Sequence, residues 1–239
     1  MRGEGAVLTP EIRTVAETGS TNADLLAEAR SGAPEGLWLR AEAQSGGRGR
    51  VGRTWLSPPG NLYASTIVRL HAGEPEAATL ALVAAVALEE VASAYAGAGR
   101  LQLKWPNDLM AGPAKLAGIL LERADDAVVI GFGVNLAHHP ENLERQTASL
   151  HGLGVAAPDP GSFLIDLAEA FARWIARWRG EGLAPVRARW LERAHPIGSA
   201  LSANGREGLF DGLDTDGALL LRHADGSVET IRAGDVFLA

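Results

Sequence analysis

The sequence pattern changes near residue 195, and this change sets the architecture we expect. Before that point, stretches with helical and strand-like apolar spacing alternate along the chain. After Pro196 no helical period remains, and short apolar runs are separated by Asn-Gly and Asp-Gly turns, which are typical of β-hairpins. We therefore predict a larger domain over residues 1–194 and a small antiparallel barrel over residues 195–239. A barrel of about 45 residues is near the lower limit for independent folding.

The larger domain is predicted to contain helices and strands around a mixed sheet, an α/β or α+β fold. Helices are predicted over residues 20–32, 76–96, 162–180 and 185–194. Pro75 is placed in the first turn of the second helix and Ser162 at the cap of the third. Strands are predicted over residues 36–44, 61–70, 101–105, 116–122 and 127–136.

Composition excludes several classes of protein. The 239 residues are 46% apolar and 21% charged, as in ordinary soluble globular proteins. The absence of cysteine excludes disulfides, a thiolate zinc site and a cysteine nucleophile, and it fits a reducing compartment, so we expect the cytoplasm. No apolar stretch is long enough for a signal peptide or a membrane span, the longest being residues 80–88. A net charge of -7 argues against a general nucleic-acid binder.

Residues 44–55, QSGGRGRVGRTW, combine a glycine pattern with positive charge. The glycines have the spacing of a dinucleotide-binding fingerprint, but Pro58 and Pro59 follow too closely for the helix that this fingerprint requires. A P-loop is also excluded, because no Gly-Lys-Ser/Thr ends the run. The remaining interpretation is an anion-binding loop. The planar guanidinium groups of Arg48, Arg50 and Arg53 are suited to phosphate or carboxylate. The alternative is a solvated polar loop between two strands.

A second polar cluster is predicted where the strand at 101–105 ends. KWPNDL, residues 104–109, places Lys104 at the strand end and Asp108 at the turn, and Lys115 opens the next apolar stretch. A hairpin over this region would bring Lys104, Asp108 and Lys115 to the same end of the sheet. The alternatives are a plain strand-to-turn exit and a solvated lysine at a strand start.

The other conspicuous residues are expected to be structural. The six histidines, including His138 and His139, lack metal-ligand spacing with carboxylates, so we expect no metal site built by the protein. Trp174, Trp178 and Trp190 recur on predicted helices and are expected to pack in the core.

Five motifs together resemble the biotin protein ligases, which join biotin to carboxylase carrier domains. They are STN at 20–22, QSGGRGRVGRTW at 44–55, KWPNDL at 104–109, KLAGILLE at 115–122 and GFGVN at 131–135, in the family's order and spacing. The resemblance covers residues 12–239 and implies a mixed-sheet domain of the class II synthetase and biotin-lipoate ligase type, followed by an SH3-like β-barrel. We expect no N-terminal helix-turn-helix domain of the kind found in the repressor-type members. In the arginine-rich loop, Val51 stands where a further arginine is frequent.

The resemblance implies a two-step reaction. The biotin carboxylate attacks the α-phosphate of ATP, expelling pyrophosphate and forming biotinyl-5′-AMP, and a lysine of a biotin carboxyl carrier domain then attacks that mixed anhydride. Repulsion between the two anions is about 4 kcal/mol at about 4 Å and an effective dielectric constant near 20, so fixed cations and Mg²⁺ are expected. DNA and membranes are not expected as partners, and a homodimer is left open.

The resemblance also assigns roles to residues. Lys115, Arg50 and Arg48 are the predicted catalytic residues, with Lys115 at the biotin carboxylate and the acyl phosphate. The polar ureido head of biotin is assigned to Ser20, Thr21, Asn22 and Gln44.

The nucleotide side of the site is assigned in the same way. Asn107 and Asn135 match positions near adenine, and Asp108 is placed where it orients Lys104, the loop or the metal. The remaining predicted binding residues are Gly47, Gly49, Arg53, Trp55, Gly118 and Gly133.

Two other functions stay open from the sequence. A lipoate or octanoate ligase or transferase has a related fold and the same acyl-adenylate chemistry. A non-catalytic biotin or nucleotide sensor would need the pocket without the chemistry, but the presence of both Lys115 and the arginine loop argues against it.

Overall fold

A seven-stranded sheet forms the centre of the larger part of the molecule. The structure is a computed structural model, and it describes residues 10–141, 143, 145–234 and 236–238. The strand order of the sheet is β1-β2-β3-β7-β6-β5-β4. Strands β1 and β2 are parallel and all other neighbours are antiparallel, so the predicted mixed sheet is confirmed. The strands are β1 (Glu11–Thr18), β2 (Leu37–Gln44), β3 (Leu62–Arg69), β4 (Gln102–Lys104), β5 (Asp108–Ala111), β6 (Ala114–Ala124) and β7 (Ala127–Val134).

Helices cover both faces of this sheet. They are α1 (Thr21–Arg30), α2 (Leu80–Ala96), α3 (Pro160–Glu181) and α4 (Ala184–Arg193). On one face Leu25 of α1 packs with Leu39 and Ile67, and on the other Trp38 and Phe132 belong to the core that α2 and α3 complete. Successive strand residues point to opposite faces, so β2 supplies apolar side chains to both cores.

Two predicted helix starts were wrong. Helix α2 begins at Leu80, because Glu76 has an extended backbone and residues Ala77–Thr79 form a separate short 3₁₀ turn. Helix α3 is capped by Asp159, whose carboxylate accepts a hydrogen bond from the Ser162 backbone nitrogen at 2.9 Å. Ser162 therefore lies inside the first turn.

Helix α2 and its preceding turn form a long, strongly apolar segment. Residues Ala77–Ala96 are long and apolar enough to cross a membrane by length and composition, so the expectation that no stretch is long enough was wrong. However, 67% of the apolar 18-residue window in this segment is buried inside the protein. Leu80, Val83 and Leu88 are fully enclosed in the core between the sheet and α3. The segment is thus the central core helix of this fold.

The C-terminal part is a five-stranded antiparallel sheet of the SH3-like type. Its strands are β8 (Ala200–Ala203), β9 (Arg206–Leu213), β10 (Leu219–Arg222), β11 (Val228–Ile231) and β12 (Val236–Leu238), in the order β11-β10-β9-β8-β12. Asn204 and Gly205 both have positive φ, 53° and 76°, at the β8–β9 turn, as the Asn-Gly pair predicts. The boundary between residues 194 and 195 stays a prediction.

The second sheet packs against the strand-turn-strand unit formed by β4 and β5. The Trp105 indole nitrogen donates to the Gly217 carbonyl at 3.2 Å, and Lys104 Nζ donates to the Val236 carbonyl at 2.9 Å. Leu201, Phe210 and Leu221 of the second sheet belong to the same core as Leu103. This packing brings the start of β12 to the edge of the polar cavity described next.

Candidate active site

A cavity of about 330 Å³ lies over strands β6 and β7, within the size range of small-molecule sites. Fifteen of the seventeen predicted site residues line it: Ser20, Thr21, Asn22, Gln44, Arg48, Gly49, Arg50, Arg53, Trp55, Lys104, Asn107, Asp108, Lys115, Gly118 and Gly133.

Buried hydroxyl and amide groups form one end of the cavity. Ser20 caps α1, so Thr21 and Asn22 enter the first helical turn with their side chains over the sheet. Thr21 Oγ1 lies 2.7 Å from Ser65 Oγ, and Ser65 Oγ donates to Asn22 Oδ1 at 2.6 Å. Gln44 Oε1 accepts from the Thr21 backbone nitrogen at 2.9 Å. These bonds hold the side chains at this end of the cavity in fixed orientations. The end suits a polar ring, because buried polar groups need hydrogen-bond partners.

Glu122 fixes the orientation of the Asn22 amide. Asn22 Nδ2 donates to Glu122 Oε2 at 2.9 Å while Asn22 Oδ1 accepts from Ser65. Ser65 stands in an apolar strand without a motif, and Glu122 ends the KLAGILLE motif, but neither was named as a site residue. They were missed as members of the site.

Glycines on β6 and β7 make room for the floor of the cavity. Gly118 and Gly133 are paired across these strands. A Cβ on Gly133 would lie 2.5 Å from Trp55 Cε2, and one on Gly118 would lie 3.2 Å from Trp55 Cζ3. The indole therefore lies directly over a backbone floor, and within the described chain its buried nitrogen has no hydrogen-bond partner.

Lys104, Asp108 and Lys115 meet at the opposite end, as the hairpin prediction required. Asp108 Oδ1 accepts a short hydrogen bond from Lys115 Nζ, and Asp108 Oδ2 is 3.6 Å from Lys104 Nζ. Burial lowers the pKa of Lys115 from 10.5 to about 8; Asp108 opposes this, and Arg145 and Lys104 add to it. Burial likewise lowers the pKa of Lys104. The cavity thus holds one buried amine, on Lys115, and one half-buried amine, on Lys104, beside one carboxylate.

The arginine-rich loop folds back on itself at the mouth of the cavity. Arg48 bridges Thr54 in antiparallel fashion, and the Gly49 nitrogen donates to the Arg53 carbonyl at 2.7 Å. No α-helix follows Gly52 among residues 53–61, so the exclusion of a dinucleotide fingerprint is confirmed.

Arg50 connects this loop to both parts of the molecule. Its guanidinium donates to Asn107 Oδ1 at 3.3 Å and to the Gly234 carbonyl at 2.9 Å. Burial lowers the pKa of Arg50. Asn107 is held in turn, because its amide donates to the Ile119 carbonyl at 2.6 Å.

Comparisons with known proteins agree with this geometry. Residues 16–135 match the biotin/lipoate A/B protein ligase family, and residues 206–239 match the biotin protein ligase C-terminal domain. A biotin–acetyl-CoA-carboxylase ligase of Paracoccus denitrificans is 41% identical over 238 residues, with 93% of this chain and 98% of the relative covered. The chain belongs to the biotin protein ligase family. A ligase of the same name from Mycobacterium tuberculosis is 39% identical, with 95% and 88% covered.

The fold of a biotin protein ligase is also found among solved structures. The biotin protein ligase of Aquifex aeolicus in complex with biotin and ATP superposes with a TM-score of 0.86 at 23% identity, covering 96% of this chain and 99% of that one. Both the mixed sheet and the C-terminal sheet therefore follow the biotin protein ligase architecture.

Two predicted residues lie outside the cavity wall of this biotin protein ligase. Asn135 is buried behind the wall, where its amide donates to the Ala148 carbonyl at 3.0 Å and so ties residues 147–150 to β7. A Cβ on Gly47 would come within 2.4 Å of the Trp55 carbonyl oxygen, so a glycine is needed where these two parts of the arginine-rich loop pass each other. The structure gives both a supporting position instead of a place in the cavity wall.

Several lining residues were missed. They include Met110, Gly131, Arg145, Gln146 and Phe237. Gly131 stands inside the GFGVN motif, so that motif was a usable signal. Arg145 follows no motif, and its position depends on the backbone bridge between Lys115 and Thr147.

The carboxylates of the site are poorly suited to holding a metal by themselves. Within the described ranges, no group of three His, Asp or Glu side chains is arranged to bind a metal ion. Asp108, which lines the cavity, is already paired with two lysines.

Proposed function

We propose that this protein is an ATP-dependent biotin protein ligase that forms biotinyl-5′-AMP and transfers biotin to a lysine of a biotin carboxyl carrier domain. The observation that carries the proposal is the pairing of two ends in one cavity. The hydroxyl and amide network around Asn22 suits a polar bicyclic head, and the amines of Lys104 and Lys115 suit the anions of the reacting end.

In the first half-reaction, a carboxylate oxygen of biotin bonds to the α-phosphorus of ATP, and the bond to the β-phosphate bridging oxygen breaks. Pyrophosphate leaves with that electron pair. Lys115 and Arg50 stabilise the charge on the crowded phosphoryl oxygens, since cations fixed in a partly desolvated site act more strongly than mobile ions in water. Asp108 keeps Lys115 charged by opposing the effect of burial on its pKa.

In the second half-reaction, a neutral lysine amine of the carrier attacks the acyl carbon of the anhydride. The bond to the phosphate oxygen breaks, AMP leaves, and the amine loses a proton to give the amide. Water must be excluded until the carrier arrives, which a closed loop at the cavity mouth achieves. The folded-back conformation of residues 48–54 supports this role.

Magnesium is proposed to enter as the Mg²⁺ complex of ATP. The donor set supports this, because Asp108 contacts both lysines and hard cations prefer carboxylate and phosphate oxygens. We also propose that the protein acts in the cytoplasm and without a DNA or membrane partner. Sedimentation at the enzyme concentrations used in assays tests whether the protein forms a homodimer.

Lipoate is the main competing substrate, and the polar end of the cavity favours biotin. The dithiolane ring of lipoate has no strong hydrogen-bonding group. Thr21 and Gln44 already bond each other, so lipoate would exclude water from their remaining donors and acceptors without replacing it. Each unpaired buried group costs about 1 to 3 kcal/mol. Lipoate should therefore be rejected by this end of the cavity.

The transfer assay tests the proposal. The protein is incubated with biotin, MgATP and a biotin carboxyl carrier domain, and the intact mass of the carrier is measured. We expect a gain of one biotinyl group, lost when the acceptor lysine is replaced by arginine and absent without ATP. A carrier that gains lipoyl but not biotinyl groups would assign the protein to the competing reaction.

A further inference from the structure

Two cations of the active site donate to the backbone of a single C-terminal segment. Arg50, from the arginine-rich loop, donates to the Gly234 carbonyl at 2.9 Å, and Lys104, from the end of β4, donates to the Val236 carbonyl at 2.9 Å. These carbonyls lie in the connection from β11 into β12. The C-terminal sheet therefore supplies part of the frame that orients the cations.

Asn204 holds this segment in place. Its amide donates to the Ala233 carbonyl at 2.9 Å. Its side chain also fills the space beside Gly234, where a Cβ would lie 1.9 Å from Asn204 Oδ1. Gly234 has φ of 146°, a conformation essentially confined to glycine. The position of the Gly234 carbonyl thus depends on one side chain from the β8–β9 turn.

The loop that Arg50 anchors includes an energetically unfavourable turn. Val51 has a left-handed backbone conformation, with φ of 55° and ψ of 35°, and its side chain is 82% exposed. A β-branched residue is rare in this region and gains little from burial here. The closed turn must therefore be stabilised by contacts of its neighbours, among which the Arg50 bond to Gly234 reaches the other sheet.

We propose that Asn204 is a positioning residue for the ligase reaction. By fixing the Gly234 carbonyl, it holds Arg50 in the cavity wall and keeps the arginine-rich loop closed over the acyl adenylate. This inference depends on the proposed function. Retention of biotinyl-5′-AMP then depends on a turn in the C-terminal sheet as well as on the contact of Arg50.

Asn204→Gly is the variant that tests this role. Glycine adopts the positive φ of residue 204 without strain and removes the amide that donates to Ala233. The matched control is Asp225→Gly, which removes the side chain before the glycine of the β10–β11 turn, where Asp225 accepts from Ser227 at 2.9 Å. Both changes affect an exposed turn of the same sheet, but only one affects the support of Arg50.

The measurement is the dissociation rate of labelled biotinyl-5′-AMP formed on the enzyme. Loss of one hydrogen bond predicts a rate about three- to tenfold faster for Asn204→Gly and the parental rate for Asp225→Gly. The KM for biotin should stay within about twofold of the parent in both, because the ureido end does not contact this segment. In the Arg50→Gly background, Asn204→Gly should produce no further acceleration.

An unchanged dissociation rate in Asn204→Gly would overturn the inference, as would equal acceleration by the control or an additive effect on Arg50→Gly. If Asn204→Gly lowers the thermal midpoint too far for the assay, Asn204→Asp replaces it, since aspartate also accepts a positive φ but lacks the amide donor. A parent enzyme that forms no biotinyl-5′-AMP would instead contradict the proposed function.

Discussion

Asn22 lies against the backbone of Gly131, in space that a side chain at position 131 would fill. A Cβ added to Gly131 would come within 2.2 Å of Asn22 Oδ1 and 2.9 Å of its Cγ. The same Asn22 oxygen accepts from Ser65, so the amide cannot retreat without breaking a buried hydrogen bond. The polar end of the cavity therefore depends on a glycine in the neighbouring strand.

Gly131→Ala should impair the use of biotin much more than the use of ATP. Displacing Asn22 breaks its bonds to Ser65 and Glu122, and loss of two such contacts predicts a rise in the KM for biotin of about 10- to 100-fold. Steady-state pyrophosphate release at varied biotin and varied ATP measures the two KM values. Gly180→Ala is the control, because nothing lies within 4 Å of its added Cβ. Equal changes in both KM values would contradict the assignment.

Lys115→Ala should slow formation of biotinyl-5′-AMP. The variant removes a buried cation held on a rigid strand beside Asp108, and loss of one preorganised charge-stabilising group typically costs about 10²- to 10³-fold in rate. Single-turnover formation of the adenylate measures this step, and circular dichroism checks that the fold is kept. An adenylation rate equal to that of the parent would show that Lys115 has been assigned the wrong role.

The pH dependence of adenylation should report Lys115. Its pKa is lowered to about 8, so the amine is charged below that pH and loses its proton as the pH rises through it. Because the reaction needs the charged form, kcat/KM should fall above about pH 8. Bound anions favour the charged amine, so the corresponding fall in kcat should occur at higher pH. A flat kcat/KM profile from pH 7 to pH 10 would contradict this account.

Arg50→Gly should produce an enzyme that loses its intermediate. The change removes the bonds to Gly234 and Asn107 and adds flexibility, which should destabilise the closed loop by about 1.5 to 3 kcal/mol and speed escape of biotinyl-5′-AMP about ten- to hundredfold. Lysines of unrelated proteins should then become biotinylated without a carrier. The measurement is dissociation of labelled adenylate.

Val51→Gly separates charge from flexibility in that experiment. It adds a glycine to the same loop and keeps the guanidinium of Arg50. It also relieves the left-handed backbone of Val51. Adenylate should be retained in this variant far better than in Arg50→Gly. Matching escape rates would mean that loop flexibility, and not the bonds of Arg50, controls retention.

Local patterns were sufficient to predict how one end of the cavity is assembled. The strand-turn pattern of KWPNDL and the lysine at the head of KLAGILLE predicted the meeting of Lys104, Asp108 and Lys115, because short antiparallel connections fix which strand ends are adjacent. Prolines after the arginine-rich loop correctly excluded a helix. Strand β1 was not predicted, since only Ile12, Val15 and Thr18 are partly buried and this spacing does not alternate.

The contacts that cross between distant segments could not be predicted from spacing. Glu122 orients Asn22 across 100 positions of sequence, and Arg50 reaches Gly234 across 184. Gly234 has no local pattern that points to the cavity, and Glu122, although it ends the KLAGILLE motif, has no spacing that predicts its contact with Asn22. Their roles follow from the order of strands in the central sheet and from how the C-terminal sheet packs on β4, which are properties of the folded chain.

The exchange of labelled pyrophosphate into ATP tests the central claim most directly, because it detects reversible formation of an acyl adenylate before any carrier is involved. The account predicts exchange that requires biotin and Mg²⁺. It also predicts at least about 10²-fold less exchange with lipoate or octanoate, which lack the polar head that the Asn22 end of the cavity binds. Absence of biotin-dependent exchange in the folded parent protein, or equal exchange with lipoate, would contradict it.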